Sequence, residues 1–130
     1  MRKESTMRRL LCLGSMALLI GAPGVQAAEK YPVSCLGSGS TITGTYGSET
    51  IYGTNGRDTI SALAGDDSVH ALAGEDRICG GPGADIISDG YGRDEIDGGD
   101  GFDTLYLCPD GAADIWRNVE RVVQTSLGCR

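Results

Sequence analysis

The chain has 130 residues with a formal charge of −7, 21 glycines, and only 5% aromatic residues. So little aromatic mass against so much acid excludes a large hydrophobic core, and no basic patch exists to meet nucleic-acid phosphates. Residues 1–28 read as a secretory signal peptide. Arg2, Lys3, Arg8 and Arg9 form a basic start, Leu10 to Ile20 is almost entirely apolar, and Val25-Gln26-Ala27-Ala28 offers small residues for cleavage after Ala27 or Ala28. The apolar run of 11 residues is short of the roughly 20 needed to span a bilayer. Adjacent Arg8-Arg9 is a faint twin-arginine signal, but a fold that needs an external ion suits the general route, which takes unfolded chains. Removing this segment takes away four basic residues and one acid, which leaves seven basic against 17 acidic residues, a charge of −10.

Residues 29–43 form a Ser- and Gly-rich segment with Tyr31, Val33 and Ile42 among its few sizeable apolar groups. It is expected to cap the fold that follows, because an uncovered strand edge invites pairing with another chain. Residues 44–106 then repeat with a period of nine. Glycine stands at 47, 56, 65, 74, 83, 92 and 101, and an acid follows each by two residues: Glu49, Asp58, Asp67, Asp76, Asp85, Asp94 and Asp103. Two residues further come Ile51, Ile60, Val69, Ile78, Ile87, Ile96 and Leu105. Nine residues are too few for a helical hairpin but suffice for a turn of about six and a strand of about three, so the period predicts a solenoid of parallel strands. The aliphatic residue points inward and stacks on its counterparts. A column of like charges at solenoid spacing repels itself, so acid locked to one phase of the repeat calls for a cation. Calcium, which takes six to eight oxygens, suits carboxylates beside glycine-rich turn carbonyls. Without metal the column would be only a solvated acidic face.

The units Gly80-Gly81-Pro82-Gly83-Ala84-Asp85-Ile86-Ile87-Ser88 and Gly98-Gly99-Asp100-Gly101-Phe102-Asp103-Thr104-Leu105-Tyr106 resemble the nonapeptide of the RTX (repeats-in-toxin), or haemolysin-type, calcium-binding family. That resemblance implies an all-β parallel β-roll of about seven units with short terminal caps, with alternate units feeding two facing sheets. It also implies Ca2+ held between turns on one edge by aspartate and turn carbonyls. Carried over by position, the ligands would be Asp58, Asp67, Asp76, Asp85, Asp94 and Asp103, with at most five bridging ions. Departures weaken some positions. Glu49 replaces aspartate, Ala62-Leu63-Ala64 and Ala71-Leu72-Ala73 replace the glycine pair, and Asp89 stands where unit six should open with glycine. Asp58, Asp85, Asp94 and Asp103 are therefore ranked ahead of Asp67 and Asp76. The N-terminal signal is itself a departure, since RTX proteins commonly leave by a one-step route with a C-terminal signal.

Once Cys12 leaves with the signal, Cys35, Cys79, Cys108 and Cys129 remain, which allow three disulfide connectivities. Pairing Cys108 with Cys129 would bracket the tail, and Cys35 with Cys79 would pin the leading segment to the roll, where outward Cys79 is reachable. Zinc is disfavoured, because there is no Cys-x-x-Cys pair and His70 is the only histidine. Residues 107–130 form a C-terminal cap. Ile115, Val119, Val122 and Val123 fit a helical stripe, yet Asn118 to Val122 resembles the closing strand after RTX arrays, and short strands with Trp116 covering the end are the favoured reading.

No histidine pair, nucleophile elbow or separate domain for catalysis is present, and the acids have a better account than a glycosidase pair. The sequence thus points to a secreted, non-enzymatic calcium-binding module, structural or interacting, with calcium ions as its partners and no nucleic acid or membrane span. The alternatives are an adhesin or polymer-binding surface and an accessory fragment of a secreted hydrolase. The first would need one residue type in a flat array, whereas the outward positions read Thr50, Thr59, Ser68, Arg77, Ile86, Glu95 and Thr104.

Overall fold

Two consecutive nine-residue units return the chain to the same sheet 18 residues on, and this spacing sets the architecture. The computed structural model describes residues 39–127 and 129. They form ten strands and no helix: β1 (Ile42–Thr43), β2 (Thr50–Tyr52), β3 (Thr59–Ser61), β4 (Ser68–His70), β5 (Arg77–Pro82), β6 (Ile86–Ser88), β7 (Glu95–Asp100), β8 (Thr104–Leu107), β9 (Ile115–Arg117) and β10 (Arg121–Gln124). Odd strands build one sheet in the order β1-β3-β5-β7-β9 and even strands the other, β10-β8-β6-β4-β2. Every pairing is parallel. The chain therefore winds a β-roll of about five coils, each contributing one strand to each sheet.

Register stacks the inward residues. Ile42, Ile60, Ile78, Ile96 and Trp116 align across the odd sheet, and Ile51, Val69, Ile87, Leu105 and Val122 across the even one. From Ile60 to Leu105 these side chains are fully or almost fully buried, in one core shared with Ala62, Ala71 and Leu107. Each aliphatic residue so buried contributes about 1.5–3 kcal/mol against a long list of ordered turn residues. Trp116 continues the odd ladder onto Ile96 but is 41% exposed, because among the described residues no coil lies beyond it. Short strands, not a helix, close the roll.

The turns that lack the glycine pair keep the same backbone. Leu63 (φ 79°) and Leu72 (φ 80°) take the left-handed region occupied by Gly81, Gly90 and Gly99 in later coils. A side chain in that region costs roughly 1–2 kcal/mol, so these two coils carry strain that the stacking on either side must offset. The reason for accepting it is close approach: a Cβ on Gly81 would lie 1.8 Å from the Leu63 carbonyl oxygen.

Cys108 and Cys129 are joined, which ties the tail to the last coils. Cys79 faces outward on β5, half-buried, and is disulfide-bonded. Its expected partner Cys35 lies outside the described residues, as do the expected signal segment 1–28 and most of the leading cap. His70 is an outward strand residue whose ring stacks on Tyr52, with centroids 5.0 Å apart.

Candidate metal centre

Side chains alternate along a strand, so an acid two residues before an inward aliphatic points inward as well. The repeat aspartates are accordingly buried: Asp67, Asp76, Asp85, Asp94 and Asp103 are each at most 2% exposed, and Asp58 is 5% exposed. One oxygen of each except Asp58 accepts a backbone N–H from the coil before it. Asp76 Oδ1 accepts from Asp58 at 2.7 Å, Asp94 Oδ1 from Asp76 at 2.8 Å, Asp67 Oδ1 from Glu49 at 2.9 Å, Asp85 Oδ1 from Asp67 at 2.9 Å, and Asp103 Oδ1 from Asp85 at 2.8 Å. Two ladders result, one along each edge of the roll.

The second oxygen is left over. Among the described residues, Oδ2 of Asp67, Asp76, Asp85, Asp89, Asp94 and Asp103 is buried without a hydrogen-bond partner. Buried polar atoms are nearly always paired, and six lone carboxylate oxygens in one small fold demand a missing partner. Beside Asp85 and Asp103 the open oxygen faces a cradle that glycine keeps clear. A Cβ on Gly80 would come within 2.3 Å of Asp85 Oδ2 and 2.5 Å of the Gly98 carbonyl oxygen. On Gly98 it would come within 2.6 Å of Asp103 Oδ2 and 2.1 Å of the Asn118 carbonyl oxygen. Carboxylate and carbonyl oxygens converging where a side chain is absent make a donor set for a hard cation such as Ca2+, and the residues fit that ion.

Electrostatics agree. Burial pushes Asp85 and Asp94 up to about 7 and Asp76 up to about 6; carboxylates on neighbouring coils add to the rise, and the backbone N–H bonds oppose it. Burial raises Asp67 and Asp103 too. In the metal-free column the charged form of these carboxylates is thus disfavoured, a cost which a divalent cation would relieve.

The first two units differ. Glu49 Oε1 accepts from Thr45 N–H at 2.5 Å and from its hydroxyl at 2.6 Å, and Asp58 Oδ2 likewise accepts from Thr54 N–H at 2.6 Å and its hydroxyl at 2.8 Å. Threonine in place of the second glycine turns these carboxylates inward on their own turns. Asp67 and Asp76, ranked lower on sequence, keep an open oxygen, whereas Asp58, ranked higher, has partners for both.

Three acids outside the expected set join the site. Asp114 Oδ1 accepts from Asp94 N–H and Glu120 Oε2 from Asp103 N–H, each at 2.9 Å, so both ladders run on into the C-terminal segment. Their signal was the spacing acid-x-apolar in Asp114-Ile115-Trp116 and Glu120-Arg121-Val122, hidden because it falls 20 and 17 residues after its predecessor instead of 18. The third is Asp89, fully buried in the turn after β6.

Residues 43–78 and 73–105 match the family described as RTX calcium-binding nonapeptide repeat (4 copies). The chain carries an RTX repeat array. The matched RTX segment contains all six repeat aspartates and ends before Asp114 and Glu120, which the roll recruits from outside it. No curated protein and no solved structure shows significant similarity to the chain.

Proposed function

We propose that this is an exported RTX protein whose β-roll folds when Ca2+ fills the cradles between coils, and which acts as a non-catalytic structural or interaction module. The observation that carries the reading is the set of buried, unpartnered Oδ2 atoms, two of which, on Asp85 and Asp103, face glycine-cleared space. Asp67, Asp76, Asp85, Asp94 and Asp103 would hold the ions with carbonyl oxygens of adjacent coils, and Asp58 would take part only by releasing Thr54. The ion would supply positive charge between stacked carboxylates, which the chain cannot provide itself. Basic side chains sit instead on the outer faces, where Arg77 pairs with Glu95 at 3.1 Å and Arg117 with Asp97 at 2.8 Å.

Export is supported by the basic, apolar and small-residue order of residues 1–28 and by disulfides, which persist in oxidising compartments. Among the described residues no helix is long and apolar enough to cross a membrane. The outward rows mix Thr59, Arg77 and Glu95 on one sheet with Thr50, Ser68, Ile86 and Thr104 on the other, which does not favour a repetitive adhesive face.

Isothermal titration of the oxidised protein with CaCl2 and with MgCl2 tests the reading. Uptake of several Ca2+ per chain at about 10⁻⁴ to 10⁻³ M, with much weaker Mg2+ uptake, is expected for extracellular calcium modules. Equal response to both ions, or none to calcium, would refute it.

A further inference from the structure

Asp89 opens the sixth unit at the position held elsewhere by Gly44, Gly53, Ala62, Ala71, Gly80 and Gly98. The cradles at Gly80 and Gly98 show where a side chain from this position points: into the space beside the aspartate five residues on. In unit six that neighbour is Asp94, so two carboxylates enter one cradle. Asp89 is fully buried. Its Oδ1 accepts the Cys108 N–H at 3.0 Å, and its Oδ2 has no partner. Asp94 Oδ2 is buried and unpartnered in the same way. Asp114, half-buried on the turn before β9, completes the group: one carboxylate oxygen from each of Asp89, Asp94 and Asp114 lies within 4.8 Å of the others. It is the only cluster of three potential ligands found among the described residues.

A glycine or alanine would satisfy the turn here, and a buried acid with an idle oxygen beside two like charges opposes folding unless it has a cationic partner. We infer that Asp89, Asp94 and Asp114 form a three-carboxylate calcium site, distinct in charge from the sites of the repeating cradles. It draws one ligand from the repeat column and two from outside it. Three formal charges make it the tightest site of the roll and the first to fill, and they favour a trivalent lanthanide still more. Filling it joins three parts of the C-terminal half: the unit-six turn, the strand β9 through Asp114, and the disulfide-bonded tail through Cys108. This inference rests on the proposal that the array binds calcium.

The test compares the oxidised wild type with Asp89→Asn and Asp114→Asn by calcium titration calorimetry and by terbium luminescence. Asparagine at 89 keeps an oxygen for the Cys108 N–H while removing the charge. Trp116 is the only tryptophan and lies two residues from Asp114, within about 7 Å along the chain, so it sensitises terbium bound here. Either variant should lose the tightest calcium step, weakened by about tenfold or more, and most of the luminescence at the first equivalent of terbium, while later calcium steps persist. If the wild type binds calcium and both variants match it in steps and luminescence, Asp89 is only an acceptor for Cys108 and the inference fails alone. A wild type that takes up no calcium overturns the array reading as well. Should Asp89→Asn fail to fold, Asp114→Asn, at the half-buried member of the group, decides.

Discussion

In chelator, the folded fraction of the protein rises as pH falls from about 8 to about 5, whereas in saturating calcium the unfolding midpoint falls over the same range. Asp85, Asp89 and Asp94 are pushed up to about 7 in the fold and Asp76 to about 6, chiefly by burial, from an ordinary value of 3.8. A carboxylate with a raised folded pKa favours the protonated fold. Its contribution is complete below the unfolded value near 4 and disappears as pH climbs through the folded value of about 6 to 7. Between pH 7 and 5 the four groups together should change metal-free stability on the order of 5 kcal/mol, comparable with the whole stability of a small domain. Calcium reverses the sign, because protons compete with the ion for the same oxygens. The β signal in circular dichroism in chelator, and denaturant unfolding in calcium, each at three pH values, would show trends of opposite slope. Parallel lines would mean that the ion and the protons act at different groups.

Asp85→Asn should likewise have opposite effects with and without calcium. Asparagine keeps an oxygen to accept the Asp67 N–H, which in the wild type lies 2.9 Å from Asp85 Oδ1, and replaces the unpartnered Oδ2 with an amide that can donate toward the Gly98 carbonyl oxygen. Repulsion from Asp103 and Asp67 also ends. The metal-free protein is expected to gain about 1–3 kcal/mol, the usual cost of a buried unsatisfied group. In calcium the variant should be less stable than wild type, since two gaps along that edge lose a charged ligand. The folded fraction in chelator and the unfolding midpoint in calcium measure the two effects. Destabilisation by the same amount in both would reduce Asp85 to a hydrogen-bond acceptor.

The roll was legible because its determinants are periodic. Glycine, acid and aliphatic columns nine residues apart specify turn, inward ligand and inward core residue, and β2 to β8 each contain the aliphatic residue of one unit. What escaped lies off the period. Asp114 and Glu120 occupy the next rungs of the acid ladders, but an insertion and a deletion in the last coil displace them from the count. Asp89 read as a flaw in the glycine pattern, because a departure from a motif does not announce that its side chain enters a cradle. The pairing of Thr45 with Glu49 and Thr54 with Asp58 depends on where a hydroxyl lands within a turn, which composition does not show. Leu63 and Leu72 keep their turns through strain, a balance decided by the coils stacked above and below.

The central claim, that this fold is completed by calcium, is tested most directly by far-ultraviolet circular dichroism of the oxidised protein near pH 8 in chelator, then with calcium and separately with magnesium. A coil spectrum that becomes β with calcium near millimolar, and stays coil with magnesium, is the expected result. A spectrum already β in chelator, with neither it nor the melting temperature changed by calcium, would contradict the account and leave the six open oxygens without a partner.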